Sequence, residues 1–232
     1  MVPTEKIVKD HDHQLRLQDS WTRNAGGWIE AVREGRIESR RLVTDAAILA
    51  AIRARQPARL LDIGCGEGWL CRTLAQEGVE AVGVDASAPL VDAARAAGGG
   101  RYELMDYEDL GKDAVATLGR FDLLVCNFAL LDDRLVPLLL RLHELRKADG
   151  RLLIQTLHPG TEPGEGWREE RFEGFGSGFP ATMPWYFRSM EAWREALRAG
   201  GWGDIVISEP RHPRSGAAAS LLIDAAALES TA

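Results

Sequence analysis

The sequence predicts an α/β fold: a mostly parallel sheet with helices on both faces. Two observations carry that expectation. From Ala58 onward, short apolar runs alternate with helix-length stretches, the pattern of consecutive βαβ units. Two of the runs, FDLLVC at 121–126 and GRLLIQTL at 150–157, are almost continuously apolar, as central strands covered on both faces must be. The 232 residues are 45% hydrophobic, enough for one domain to bury a sizeable core.

In chain order, strands are expected at Arg59–Ile63, Ala81–Asp85, Arg101–Met105, Phe121–Cys126, Arg151–Leu157, Asp204–Ser208 and Ser220–Ala225. Helices are expected to start near Gly68, Ala88, Leu110 and Asp133, one in each gap between the first five strands. Two segments break the rhythm. Residues 1–57 read as a helical cap of two or three helices. One of these runs from about Arg40 to Arg53, with Leu42, Ala46, Leu49 and Ile52 on its apolar face. Residues 159–188, PGTEPGEGWREERFEGFGSGFPATMPWYFR, form a Gly/Pro/aromatic insertion too long for an ordinary connection and of a kind that is often functional. It leaves the sheet at the carboxyl end of a strand, the side on which open α/β sheets bind ligands.

Composition narrows the classes of partner. The net charge of −7 argues against a broad electrostatic grip on nucleic acid or anionic lipid. Arg33, Arg36, Arg40 and Arg41 are interspersed with Glu34 and Glu38 and read as a solvated helix face. Cys65, Cys71 and Cys126 form no CxxC pair and no zinc spacing, which suits a reducing compartment. The polar opening MVPTEKIVKDHDHQ is unlike a signal peptide, and no apolar run reaches membrane-spanning length, so a cytoplasmic protein is expected. His11 and His13 in that opening read as part of a solvated tail rather than as metal ligands.

The chemistry concentrates around LLDIGCGEGWL at 60–70. A dinucleotide turn wants G-x-G-x-x-G, but after Gly64 and Gly66 the third position holds Trp69, and the third glycine comes one place early at Gly68. Asp62, at the end of the first strand, would repel a pyrophosphate, yet it can support an ammonium group or order the loop. Asp85 ends the second strand, where two acceptor oxygens can take both hydroxyls of a ribose. Asp106 follows the third strand and can accept from an exocyclic amine or cap the turn before YEDL. Asn127 ends the fourth strand. Together these residues describe a ligand with a ribose, an amine-bearing base and a positively charged tail, and with no required phosphate. S-adenosylmethionine has those parts.

Residues from about Ala58 to Leu157 resemble class I S-adenosylmethionine-dependent methyltransferases of the small-molecule type. LLDIGCGEG, AVGVDAS, LMDYEDL, FDLLVCNFALL and GRLLIQTLHP stand in that family's order and spacing. The resemblance implies a Rossmann-like seven-stranded sheet in order 3-2-1-4-5-7-6 with the last strand antiparallel, GDIVIS and SLLID forming the terminal pair. It implies S-adenosyl-L-methionine as cofactor, with the Gly64-Cys65-Gly66 backbone, above Asp62, against its methionyl and adenosyl portions. It gives Asp85 the ribose, Ala86 a place beside the adenine, Asp106 the adenine amine with Tyr107 nearby, and Asn127 the methionyl ammonium. An arginine of the cap, with Arg40 preferred, is expected either to fork onto the methionine carboxylate or to serve the surface.

The acceptor side is read from what is missing and from the insertion. The fourth strand lacks the Asp/Asn-Pro-Pro-Tyr/Phe segment of amide- and base-modifying relatives, no Pro-Cys nucleophile is present, and no strand-end acid group suits a divalent metal. A small organic acceptor is therefore expected, with neither nucleic acid nor membrane as partner. Trp185 and Tyr186 are candidates for an acceptor wall and Arg188 for an anion contact, unless these residues anchor the insertion onto the sheet. His158, just beyond the fifth strand, is the candidate general base, with a loop hydrogen bond as its other reading. His143 is read as structural. A dinucleotide-binding oxidoreductase and a non-catalytic protein that binds the same cofactor remain the alternatives.

Overall fold

The computed structural model describes residues 4–161 and 164–228, with side chains from residue 12 onward; His11 therefore lies outside the described side chains. Three helices precede the sheet: α1 (Thr4–Arg23), α2 (Ala25–Arg33) and α3 (Asp45–Arg55). The last is entered through a π-helical turn at Arg40–Thr44 and stops where Gln56 turns left-handed, with φ 46°. The expected Arg40–Arg53 helix is thus present, with a wider, underwound start.

The alternation then runs β1 (Arg59–Ile63), α4 (Trp69–Ala75), β2 (Glu80–Asp85), α5 (Ala88–Ala97), β3 (Arg101–Leu104), α6 (Ala114–Leu118), β4 (Phe121–Asn127), α7 (Leu135–Leu145) and β5 (Arg146–Thr156). After the insertion come α8 (Met190–Ala199), β8 (Trp202–Ser208) and β9 (Leu221–Ala227), β6 and β7 lying inside the insertion. The strands form one sheet in the order β3-β2-β1-β4-β5-β9-β8. The first five pair in parallel, while β9 runs antiparallel to both β5 and β8. With the insertion strands left out of the count, this is the expected order and sense.

Side-chain alternation on the strands feeds two cores. Leu61 and Ile63 of β1 join Leu118, Leu139, Leu142, Trp193 and Trp202 on the α6–α7–α8 face. Leu60 joins Ile48, Ile52, Leu70, Leu74 and Val91 on the α3–α4–α5 face. Asp62 shares that second face by its parity and is 2% exposed. His143 is structural as expected: its Nε2 donates to the Gly200 carbonyl at 2.8 Å and its ring stacks on Trp202.

The insertion is not the structureless loop its composition suggests. β6 (Gly166–Glu170) and β7 (Met183–Phe187) pair as an antiparallel ribbon. The charged run WREE hid the first strand, and the second reads as a short aromatic patch. A third apolar cluster seats this ribbon: Leu17 of α1, Leu131, Phe172 and Met183, with Trp21, Phe175 and Trp185 packed on it. Among the described residues no helix is long and apolar enough to cross a membrane.

Candidate active site

A cavity of about 300 Å³ opens at the carboxyl ends of β1, β2, β3 and β4, beneath α1. Gly64, Gly66, Asp85, Ala86 and Asn127 face it from the sheet, with Met105, Asp106 and Tyr107 at one side. The roof is Gln14, Leu15, Leu17, Gln18 and Trp21 of α1, with Trp28 of α2. A second, more open depression continues past Asp85 and Met105 towards Asp19, Thr22 and Asp109.

The glycine turn explains itself position by position. Gly64, Gly66 and Gly68 all hold left-handed backbone, with φ of 74°, 56° and 81°. A Cβ on Gly64 would stand 2.5 Å from the Ala129 Cβ, so this glycine lets the loop after β4 close. A Cβ on Gly68 would stand 2.7 Å from the Tyr102 ring, whose hydroxyl donates to the Gly68 carbonyl. Gly66 has no such neighbour; the nearest atom is Trp28 Nε1 at 3.5 Å, across the cavity. It is the position where bare backbone meets a ligand.

The donors of this turn are already spent. The Gly64 and Cys65 N–H groups both donate to the Val84 carbonyl, at 2.8 and 3.0 Å, and Gly68 N–H donates to the Cys65 carbonyl at 3.0 Å. Gly66 N–H donates to Asp85 Oδ2 at 2.9 Å. A phosphate cradle needs free N–H groups pointing at the ligand. This turn offers none from those four residues and sets a carboxylate beside them. Glu67, 1% exposed, locks the turn to the cap: its Oε2 accepts from Arg33 Nε of α2 at 2.9 Å and from Arg72 Nη2 at 2.6 Å.

Asp85 takes Gly66 N–H on one oxygen and Ser87 N–H on the other, at 2.9 and 2.8 Å. Each oxygen keeps a lone pair for the cavity. Burial raises its pKa, opposed by these backbone bonds. Asp62 does not reach the cavity surface; it lies under the turn, 3.8 Å from the Cys71 thiol. Burial first, and then the charge of Asp85, push its pKa up to about 7 against the pull of Cys71 and Arg40. Cys65 packs beneath the turn and is absent from the lining; burial pushes its thiol and that of Cys71 well up, so both are inert packing groups.

The Asp62 shift has a measurable consequence. A carboxyl whose pKa is raised on folding binds its proton more tightly in the folded state, so stability falls as pH rises from about 4 to about 7 and levels off above. Asp62→Asn is expected to remove that fall. Its advantage over the wild type should be roughly 2–4 kcal/mol greater at pH 8 than at pH 4. Urea titration at the two pH values checks this, and an equal difference at both would place the titration elsewhere.

The remaining predicted residues divide. Asp106 lines the cavity, and its Oδ1 caps the turn by accepting from Glu108 and Asp109 N–H at 2.7 and 3.0 Å. Tyr107 lines the cavity and donates its hydroxyl to the Ala129 carbonyl at 2.8 Å. Asn127 Oδ1 is buried without a hydrogen-bond partner, an acceptor held for a donor that the chain does not supply. Beside it Phe128, also on the cavity, holds φ 54°, the kind of strained non-glycine position that marks functional sites. Arg40 is not on the lining; it pairs with Asp45 at 3.0 Å and lies 4.8 Å over the Trp69 ring.

The acceptor-side candidates lie off the cavity lining. His158 is not on the lining, and both ring nitrogens are engaged: Nδ1 accepts from Gly160 N–H at 3.0 Å, so Nε2 carries the proton towards Glu209 Oε1 at 3.0 Å. These bonds are the loop-anchoring arrangement that was the other reading of this histidine. Trp185, Tyr186 and Arg188 stand behind the cavity wall rather than in it. Tyr186 N–H donates to the Leu131 carbonyl at 2.8 Å, Trp185 packs into the roof cluster, and Arg188 donates to the Asp132 carbonyl. Arg188 is 5% exposed over Tyr186 and Trp193, and burial lowers its pKa to about 10. It is not on the cavity lining, and its Nη1 is buried without a hydrogen-bond partner. The sequence reading missed Gln14, Gln18 and Asp132, for which only the helical spacing of Gln14, Gln18 and Trp21 gave a signal.

Comparison with known proteins fits this geometry. A family model described as a methyltransferase domain matches residues 36–205. A ubiquinone biosynthesis O-methyltransferase of Sinorhizobium medicae is 36% identical over 83 residues, 34% of each chain. Its counterpart in Rhodopseudomonas palustris is 28% identical over 136 residues, 58% of this chain and 51% of that one. These alignments thus span about half or less of the curated relatives. Among solved structures, 1,6-didemethyltoxoflavin-N1-methyltransferase of Burkholderia thailandensis, with S-adenosylhomocysteine bound, superposes with a TM-score of 0.63 at 19% identity, covering 95% of this chain and 91% of that one.

Proposed function

The chain belongs to the methyltransferase-domain family, and from that premise we propose that it transfers the methyl group of S-adenosylmethionine to a small organic acceptor under α1. The observation that carries this reading is the pairing of a glycine turn whose N–H groups are spent with a buried, unpartnered Asn127 Oδ1. The first disfavours a pyrophosphate; the second asks for a donor such as an ammonium.

When bound, the cofactor supplies an electrophilic methyl on a sulfonium. Around it, Asp85 offers its remaining lone pairs to the ribose, Ala86 and Met105 flank the base, and Asp106 meets its exocyclic amine. Asn127 takes the ammonium. Asp62 and Arg40, outside the cavity, act on this end of the site through the turn. Residues 1–57 act as the cap: Leu15, Leu17, Trp21 and Trp28 exclude water and hold the acceptor, and such positioning supplies much of the rate of a displacement that needs no covalent intermediate. A dinucleotide-dependent oxidoreductase is disfavoured by the spent turn. A non-catalytic binder of the same cofactor is disfavoured by a roofed cavity that continues beyond the cofactor residues. The acidic balance supports small molecules rather than nucleic acid as partners, and the reading takes the protein to act in the cytoplasm.

S-adenosylhomocysteine is expected to stabilise the protein by about 2.7 kcal/mol at ~100 times its Kd, and NADH not at all. Thermal melts of ligand-free protein read this. A shift with NADH alone, or with neither ligand, removes the reading.

A further inference from the structure

The cavity has an unusual charge balance. Its charged lining residues are Asp85, Asp106, Glu108 and Asp132, all acidic, and among the described residues no Lys, Arg or His side chain lines it. Asp85 and Asp106 stand at the β2 and β3 ends, where the cofactor reading uses them. Glu108 is exposed. Asp132 is different: it lies beyond β4, past Asn127 and Phe128, and is 7% exposed.

Its carboxylate is under-satisfied for that depth. Oδ1 accepts from Arg134 N–H at 3.2 Å, and the Arg134 guanidinium stays 4.0 Å from Oδ2, itself about half exposed. An ionised carboxylate has roughly four lone-pair sites and is costly to bury unless donors meet them. Behind it, Arg188 donates to its main-chain carbonyl, close enough for the two charges to attract, and Tyr186 N–H donates to that of Leu131; no hydrogen bond from the guanidinium reaches the carboxylate itself. The Arg188 guanidinium bonds to this backbone through Nη2, its Nη1 is buried without a hydrogen-bond partner, and its charge lies over the Tyr186 and Trp193 rings.

We propose that the acceptor is a neutral or cationic molecule that places an N–H or O–H donor on Asp132, and that this residue sets specificity by rejecting carboxylated and phosphorylated acceptors. Rejection follows from placing an anion in a partly enclosed cavity whose charged residues are all acidic, where repulsion is weakly screened. Apolar walls from Leu17, Trp21, Trp28 and Phe128 favour a flat, largely apolar body around that donor. The proposal rests on the methyl-transfer reading, since it assigns the volume beyond the cofactor residues to an acceptor.

The test separates the two. Calorimetry first establishes S-adenosylhomocysteine binding; its failure sinks the cofactor reading, not the acceptor class. The protein saturated with that ligand is then screened by saturation-transfer NMR against a few hundred aromatic fragments, divided equally among cations, neutral molecules and anions at pH 7. Cationic and neutral hits are expected to outnumber anionic ones by roughly tenfold. In Asp132→Asn the strongest cationic hits should weaken at least ~10-fold while S-adenosylhomocysteine affinity stays within about twofold, which also certifies that the variant is folded. Glu108→Gln should leave the pattern unchanged. Anionic hits as frequent as cationic ones, a complete lack of hits on the saturated protein, or a pattern that moves with Glu108 and not with Asp132 would each overturn the proposal.

Discussion

Asp85→Ala is expected to weaken S-adenosylhomocysteine binding by roughly 100-fold or more and to lower stability by about 2–4 kcal/mol. Both effects have one source. Its two oxygens fix Gly66 and Ser87 through short bonds to their N–H groups, at 2.9 and 2.8 Å, in a part-buried setting. Hydrogen bonds to charged groups contribute about 1.5–3 kcal/mol each, and removing the acceptor leaves buried donors unmet. Alanine therefore takes away the ribose partner and also releases the Gly66 backbone on which the cofactor would rest. Asp85→Asn is a sharper probe, because an amide can accept on one side only and presents N–H to N–H on the other. It should lose nearly as much affinity with less loss of fold. Calorimetry on variants shown folded by circular dichroism reads the affinity, and urea titration the stability. Unchanged affinity in a folded variant would confine Asp85 to holding the turn.

The sheet was legible because its signals are local. β1 matches the expected span at both ends, and the other sheet strands differ mainly at their termini, where a strand end frays into its turn. The sheet side of the cavity was legible for the same reason: Gly64, Gly66, Asp85, Ala86, Asp106, Tyr107 and Asn127 are strand-end residues, so knowing the strand places the residue at the crevice, and the structure brings all seven to one cavity. Legibility stops where placement depends on contacts between distant segments. Asp62 keeps strand parity and so turns under the sheet rather than out of it. His158 meets Glu209, which no spacing rule connects to it. Trp185 and Tyr186 were read as wall and Arg188 as an anion contact, yet they lie one layer back and the loop of Leu131 and Asp132 stands in front. The donors of the glycine turn could be counted but not followed to their partners, and those partners are what separate a phosphate cradle from this site.

The same dependence on distant contacts makes Asn24 the residue on which the roof turns. It is fully buried between α1 and α2, where its amide nitrogen donates to the Ala181 carbonyl at 2.7 Å and to Ser20 Oγ at 3.0 Å, and its oxygen accepts from Ala181 N–H at 3.0 Å. One side chain thus satisfies both backbone groups of a residue in the insertion. Just beyond, Gly27 and Gly178 approach so closely that a Cβ on Gly27 would stand 2.4 Å from the Gly178 carbonyl oxygen. Asn24→Ala would leave the Ala181 N–H and carbonyl unmet and is expected to cost about 2–4 kcal/mol. The loss should be local, because the sheet cores do not use Asn24: α1, α2 and the β6–β7 ribbon should exchange amide hydrogens faster while β1, β4 and β5 keep their protection. S-adenosylhomocysteine affinity should fall with the roof, and an acceptor, once found, should show a raised KM before kcat suffers. Asn24→Asp tests the donor alone, since it keeps the oxygen that takes Ala181 N–H and puts a second acceptor against the Ala181 carbonyl; it should do nearly as much damage as alanine. Uniformly faster exchange across the sheet would mean that Asn24 supports the whole fold. Unchanged exchange in both segments would mean that the apolar cluster of Leu17, Leu131, Phe172 and Met183 holds the roof without it.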